Sequence, residues 1–330
     1  MKKKKMNSNF GNYYKKISNR RSFICGIKST TLSKKEVSFL KLHKPWGIIL
    51  FSRNIRSIYQ TKNLTDNIKK IFKDKNYPIL IDEEGGRVSR LNNILDNSLF
   101  TSKFFGNLYK KNNKKFNLLQ KTYIEQISYI LRQIGVNINT VPVLDLYRKK
   151  SNKIIGNRSY SNNRIVVFNV GKLVIKKYLE NKIGTVMKHI PGHGLAKSDS
   201  HKKLPIVKKN LQYLKNNDFY PFKQNIFLAM TAHILYEKID KKYCATHSSK
   251  IVKLIRNHIK FKGILISDDI SMKALKYSIS NNTIKAFNAG CDLVLHCNGK
   301  LSEMNKVAKN SPKISKFIIK KTSQLLNKLS

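Results

Sequence analysis

Eight short, continuous apolar runs, separated by stretches with helical spacing, constrain this fold more than anything else in the chain. The runs are 23–27 (FICGI), 47–51 (GIILF), 78–81 (PILI), 136–144 (VNINTVPVL), 184–189 (GTVMKH), 227–233 (FLAMTAH), 263–267 (GILIS) and 291–297 (CDLVLHC). Uninterrupted apolar runs of this kind mark strands buried on both faces, as parallel strands are. Between them, 32–42, 58–72, 122–134, 165–179 and 250–258 carry apolar residues at helical intervals. Strands alternating with helices imply parallel βα units, and eight of them predict an α/β chain folded as a single (β/α)8 TIM-type barrel. Such a barrel takes about 250 residues before insertions, and the chain has 330. An open doubly wound sheet would show a GxGxxG turn after its first strand. None is present, which argues against a dinucleotide site.

The charge balance needs a separate explanation. Sixty-six Lys+Arg stand against eighteen Asp+Glu, a formal net charge of +48. A nucleic-acid binder would gather such charge into a stripe. Here it is spread along a chain that is also rich in Asn and Ile, as an A/T-rich coding sequence would produce, so no specific nucleic-acid partner is expected. Cys25, Cys244, Cys291 and Cys297 form no CxxC pair, which fits a reducing compartment and excludes a disulfide scaffold. The apolar runs are far short of the ~18 residues of a membrane span. The basic N-terminus is followed by an apolar stretch too short for a signal peptide. Residues 1–20 are therefore expected to form a flexible basic tail on a barrel domain spanning 21–330, and the protein to be cytoplasmic.

In a barrel the active site lies at the C-terminal ends of the strands. The polar residues there are Asp82-Glu83-Glu84-Gly85-Gly86, Asp145, Lys188-His189, His233 and Asp268-Asp269. Six of the chain's eighteen acids are among them, a convergence expected of an enzyme pocket. Each alone has a plain structural reading: a tight turn at Gly85-Gly86, a helix cap at Asp145, a satisfied core histidine at His233. The adjacent Asp268 and Asp269 suggest a metal site, or a nucleophile whose neighbour is turned aside. After the fifth run, KHIPGHG (188–194) leads into DSHKKLP (199–205). His189, His193, Asp199 and His201 are metal-ligand types, but Pro191 and Gly192 break the helix that would put two of them on one face. A mobile loop bringing an imidazole to the pocket, oriented by an Asp, is the better reading.

The chain resembles the family 3 glycoside hydrolases, specifically the bacterial β-N-acetylhexosaminidases of the NagZ group that recycle cell wall. The motifs that carry the resemblance are GIILFSRNI (47–55), IDEEGGRVSRL (81–91), VPVLDL (141–146), IIGNRSY (154–160), KHIPGHG (188–194), DSHKKLP (199–205), MTAHILY (230–236), ISDDISMKAL (266–275) and AGCDLVLHC (289–297). The resemblance implies Asp268 as nucleophile, His201 as general acid/base with Asp199 as its partner, and Asp82, Arg90, Arg158, Lys188 and His189 as sugar-binding residues. It implies a retaining glycosidase that removes terminal, non-reducing β-linked N-acetylglucosamine from peptidoglycan fragments. No cofactor or metal is implied, nor any membrane partner, and the expected state is a monomer. Phosphorolysis at the same site, or an inactive barrel binding nucleic acid through its charge, are the alternatives. The chain departs from the family at Leu195-Ala196, where Asp-Thr is usual, at Asn157, where an acid is usual, and at Glu83, where Gln is usual.

Overall fold

A computed structural model describes residues 17–149, 154–200 and 203–330. Among the described residues ten strands occur in chain order: β1 (Arg21–Gly26), β2 (Pro45–Leu50), β3 (Ile79–Ile81), β4 (Ile138–Asn139), β5 (Gly184–Ile190), β6 (Ile206–Val207), β7 (Leu228–Thr231), β8 (Leu235–Tyr236), β9 (Ile264–Asp269) and β10 (Leu293–His296). Eight of them close a parallel barrel in the order β1-β10-β9-β7-β5-β4-β3-β2. Each barrel strand falls on one of the eight apolar runs, so the chain is a (β/α)8 TIM-type barrel. The short parallel pair β6–β8 lies outside the barrel and ties the segment after β5 to the segment after β7.

Side chains alternate across each strand, and the two sets build two cores. Ile24, Ile49, Leu80, Ile138, Val186, Leu228, Ile264, Ile266 and Leu293 fill the barrel. Their neighbours Phe23, Cys25, Ile48, Leu50, Ile79, Ile81, Met187, Ala229, Leu265 and Val294 face the helices. Both faces are therefore apolar, and that is why the runs are continuous. Helix starts are set by polar caps. Ser33 and Glu36 form a reciprocal capping box for the helix Lys34–His43. Ser57, Thr101, Asn112, Asn163, Ser248, Ser278 and Ser315 each accept a first-turn N–H of the helix that follows.

The last helix, Lys316–Leu329, packs Ile318, Ile319 and Leu325 into the barrel cluster. Trp46, fully buried, donates its indole N–H to Thr322 Oγ1 at 2.9 Å. The expected tail over 1–20 overlaps this folded body. Ile17 is fully buried in the barrel cluster, and Arg20 is buried against Asp74 at 2.6 Å. The tail boundary is corrected accordingly: packing of Ile17 and pairing of Arg20 make 17–20 part of the domain, and residues 1–16 lie outside the described ones. All four cysteines are free. Among the described residues no helix is long and apolar enough to cross a membrane.

Candidate active site

Three carboxylates leave the end of β3 in different directions. Gly85 and Gly86 allow this because both sit at positive φ, 83° and 60°, where side chains with a Cβ are strained. A Cβ on Gly85 would also lie 2.4 Å from the Phe100 carbonyl oxygen. Glu83 turns away from the cleft. It accepts from Arg90 N at 2.7 Å, Leu91 N at 3.1 Å and Asn97 Nδ2 at 2.6 Å, and so shapes the loop that carries Arg90. Burial raises its carboxyl, and these bonds only partly offset that.

Asp82 and Glu84 turn inward and share one lysine. Lys188 Nζ lies 2.8 Å from Asp82 Oδ1, 2.7 Å from Glu84 Oε1 and 2.9 Å from Thr140 Oγ1. Arg158 grips Glu84 through two bonds, at 2.7 and 2.8 Å. Arg90 approaches Asp82 at 3.6 Å and lies over the Phe51 ring. Burial by itself would raise both carboxyls. Lys188 and Arg90 outweigh it at Asp82 and hold that group well below the usual range. Arg158 and Lys188 outweigh it at Glu84 and bring it down to about 2.

Asp145, beyond β4, organises the end of β5. It is completely buried. Its carboxylate accepts from His189 N, from His193 N at 2.6 Å, and from His189 Nδ1 at 2.7 Å. An ionised carboxylate only accepts, so His189 carries a proton on Nδ1 and presents Nε2 elsewhere. The carboxyl of Asp145 stays below its ordinary value because His189 and His193 outweigh the burial that would raise it. Its role is thus to orient histidines, not to cap a helix.

Asp268 and Asp269 end β9 and part company. Asp269 accepts from Ser271 N and Oγ and from Cys297 N, all within 3.2 Å, so it is turned aside into the following turn. Asp268 lines the cleft and accepts from Asp269 N at 2.8 Å. Burial would raise its carboxyl, but His233, His189, the Asp269 amide and Lys188 outweigh burial and hold it below the usual value. His233 is buried with Nδ1 2.7 Å from Thr246 Oγ1 and Nε2 3.0 Å from the Asp269 carbonyl oxygen. It is a satisfied core histidine, as its plain reading held.

One cleft of about 800 Å³, its open mouth included, gathers Asp82, Arg90, Arg158, Lys188, His189 and Asp268. Asp199 is half-buried on the loop after β5 and is absent from the lining. His201 lies outside the described residues. Among the described residues, no group of three His, Cys, Asp or Glu side chains is arranged to hold a metal ion. The lining also includes Glu84, Arg87, His193 and Ser200, to which the sequence reading assigned no site role. Glu84 was visible in IDEEGG, but nothing in the sequence says that Arg158 reaches it from 74 positions away.

The glycosyl hydrolase family 3 N-terminal domain matches residues 21–326. A β-hexosaminidase of Methylobacillus flagellatus is 30% identical over 82% of this chain and 79% of its own length. One from Actinobacillus pleuropneumoniae serotype 3 is 31% identical over the same shares. The crystal structure of native NagZ from Neisseria gonorrhoeae superposes with a TM-score of 0.82 at 27% identity, covering 94% of this chain and 90% of that one. A family 3 β-N-acetylglucosaminidase from Paenibacillus sp. gives the same TM-score at 25% identity, over 95% of this chain and 61% of that one. With a closed barrel, a carboxylate-rich cleft at its C-terminal rim and relatives covered over most of their length, the chain belongs to glycoside hydrolase family 3 and is a β-N-acetylhexosaminidase.

Proposed function

We propose that the enzyme hydrolyses terminal, non-reducing β-linked N-acetylglucosamine from peptidoglycan fragments, GlcNAc-anhydroMurNAc with or without stem peptide. It does so in the cytoplasm, as a monomer without cofactor, and with retention of configuration. The observation that carries the mechanism is Asp268: a carboxylate held ionised in the cleft with no cation among the described residues at ion-pair distance. It can attack the anomeric carbon as the glycosidic C–O bond breaks, leaving a glycosyl ester. His201 would give a proton to the departing oxygen. It would then take one from the water that attacks the anomeric carbon and frees Asp268. An imidazole with an ordinary value near ~6.5 can do both at neutral pH. Asp199 would orient it. Asp82, Arg90, Arg158, Lys188 and His189 would hold the sugar by charge-assisted hydrogen bonds. Neither Glu83 nor Glu84 suits the acid role: the first faces away from the cleft, and the second is clamped as an anion.

Leaving-group dependence tests the reading. His201→Ala is expected to lose ~10² to 10⁴-fold or more on the disaccharide, the range of general acid–base catalysis. On a dinitrophenyl glycoside, which needs no proton, it should still form the ester on Asp268 and accumulate it. Equal loss on both substrates with no trapped ester would remove His201 from the role. Turnover that requires phosphate and yields a sugar phosphate would replace hydrolysis with phosphorolysis.

A further inference from the structure

His193 lines the cleft, is buried, and has no place in the roles proposed above. Its position is set by the barrel side of the cleft. Its N–H donates to Asp145 Oδ1 at 2.6 Å. The glycines on either side are pressed against neighbouring backbone: a Cβ would lie 3.0 Å from the Asp218 carbonyl oxygen at Gly192 and 2.3 Å from that of Leu146 at Gly194.

From this fixed base, the ring reaches across to the loop. Nε2 lies 3.2 Å from Ser200 Oγ, while Nδ1 is buried with no partner among the described residues. Nε2 and Ser200 Oγ share one hydrogen bond, with the ring's tautomer setting which of them donates. Burial, with His189 next in weight, pushes His193 down to about 4, so the ring is neutral at pH 7. Ser200 is held a second time, because its carbonyl accepts from Ala274 N at 3.2 Å. It is itself buried, and its chain neighbours are Asp199 and His201.

We propose that His193 is a positioning residue for proton transfer: its hydrogen bond to Ser200 tethers the chain that bears Asp199 and His201 to the Asp145 node. The proposal rests on the acid/base reading of those two residues. A tether of this kind acts through geometry, where a misplacement of about 1 Å can cost ~10²-fold.

The test compares His193→Ala, Ser200→Ala, the double variant and His193→Gln, with His201→Ala as reference. First-turnover rates and KM are measured on phenyl and dinitrophenyl β-N-acetylglucosaminides. Each single variant is expected to slow the phenyl glycoside about 10- to 100-fold, with the dinitrophenyl glycoside changed by less than about threefold and KM by less than about twofold. The double variant should be no slower than the slower single variant, because both remove one hydrogen bond. His193→Gln, whose amide can donate or accept, should recover part of the loss. Equal losses on the two substrates, or losses that multiply in the double variant, would overturn the tether. If His193→Ala does not fold, Ser200→Ala carries the same substrate comparison, with His193→Gln paired to it in the cycle. If His201→Ala ignores the leaving group while His193 and Ser200 remain coupled, the acid/base reading falls and the tether stands with a different cargo. If His201→Ala discriminates and the pair is additive, the tether alone falls.

Discussion

The two sides of the cleft treat their carboxylates in opposite ways. On the β3 side, Asp82 and Glu84 are each within 2.8 Å of Lys188, and Glu84 is gripped again by Arg158. On the β9 side, Asp268 has no ion-pair partner among the described residues, and what keeps it charged is the surrounding field of histidines, a backbone amide and a more distant lysine. Both sides hold anions at pH 7, but only one leaves its anion uncovered. A clamped carboxylate has its lone pairs directed at cations and can share hydrogen bonds with sugar hydroxyls. An unclamped one can attack carbon. The difference is in coverage more than in acidity, and under the proposed mechanism it separates binding from chemistry within one pocket.

The strongest way to break that division is Asp268→Asn. Removing the uncovered anion should lower turnover by about 10⁴-fold or more on every leaving group, as loss of a nucleophile does. Measuring kcat on phenyl and dinitrophenyl glycosides with an unchanged circular dichroism spectrum checks it. Activity that survived on the dinitrophenyl substrate would place the nucleophile elsewhere. On the clamped side, Lys188→Met should act on folding as well as on binding. It leaves Asp82 and Glu84 facing each other without their shared cation, and breaking such a buried pair costs roughly 3–5 kcal/mol. Urea denaturation at pH 7 measures this, and wild-type stability would show that the arginines alone suffice.

The clamp should also show in the pH dependence of stability. Glu84 has a folded value of about 2 against an ordinary 4.5. A depressed carboxyl contributes stability that is complete above its unfolded value and is lost as pH falls through its folded value. The thermal midpoint should therefore drop between about pH 4.5 and about pH 2. Glu84→Gln should make that drop shallower, with the remainder due to Asp82, Asp145 and Asp268, which are also depressed. The smallest effect should come from Asp269→Asn. Its carboxylate only accepts from Ser271 and Cys297 N, and an amide oxygen can still accept from those backbone N–H groups. A loss within about tenfold is expected. A loss as large as that of Asp268→Asn would mean that the two neighbours act together.

The barrel was legible because both faces of its strands are apolar, so alternation never obscured the runs. Its boundaries were less so. The run 136–144 contributes only Ile138–Asn139 to β4 as a regular strand; Pro142, which has no N–H to donate, interrupts the ladder, and the chain rejoins β5 through the isolated bridge Val143–Lys188. The helices Ile279–Ala289, Leu301–Asn310 and Lys316–Leu329 were missed. Their apolar residues do recur at helical spacing, as at Ile318, Ile319, Leu325 and Leu326, so that signal was present in the sequence. In the site, the residues at strand ends were visible, because position after an apolar run is a local signal. The partnerships were not. Asp145 binding His189 and His193, and Lys188 joining Asp82 to Glu84, depend on which strands are neighbours in space. Two of the cleft's contributors, His193 and Ser200, sit on a loop whose own sequence carries no periodicity at all.

The buried Arg20–Asp74 pair defines where this protein can be cut. Similarity to the family begins at residue 21, one position after the arginine that neutralises Asp74 and lies over Tyr77. A fragment designed on the family boundary would keep every strand and every residue of the cleft. It would nonetheless remove the guanidinium that pairs with Asp74 and lose Ile17 from the barrel cluster. For anyone expressing the catalytic unit alone, a first residue at or before 17 is therefore expected to keep packing and an ion pair that family similarity does not reveal.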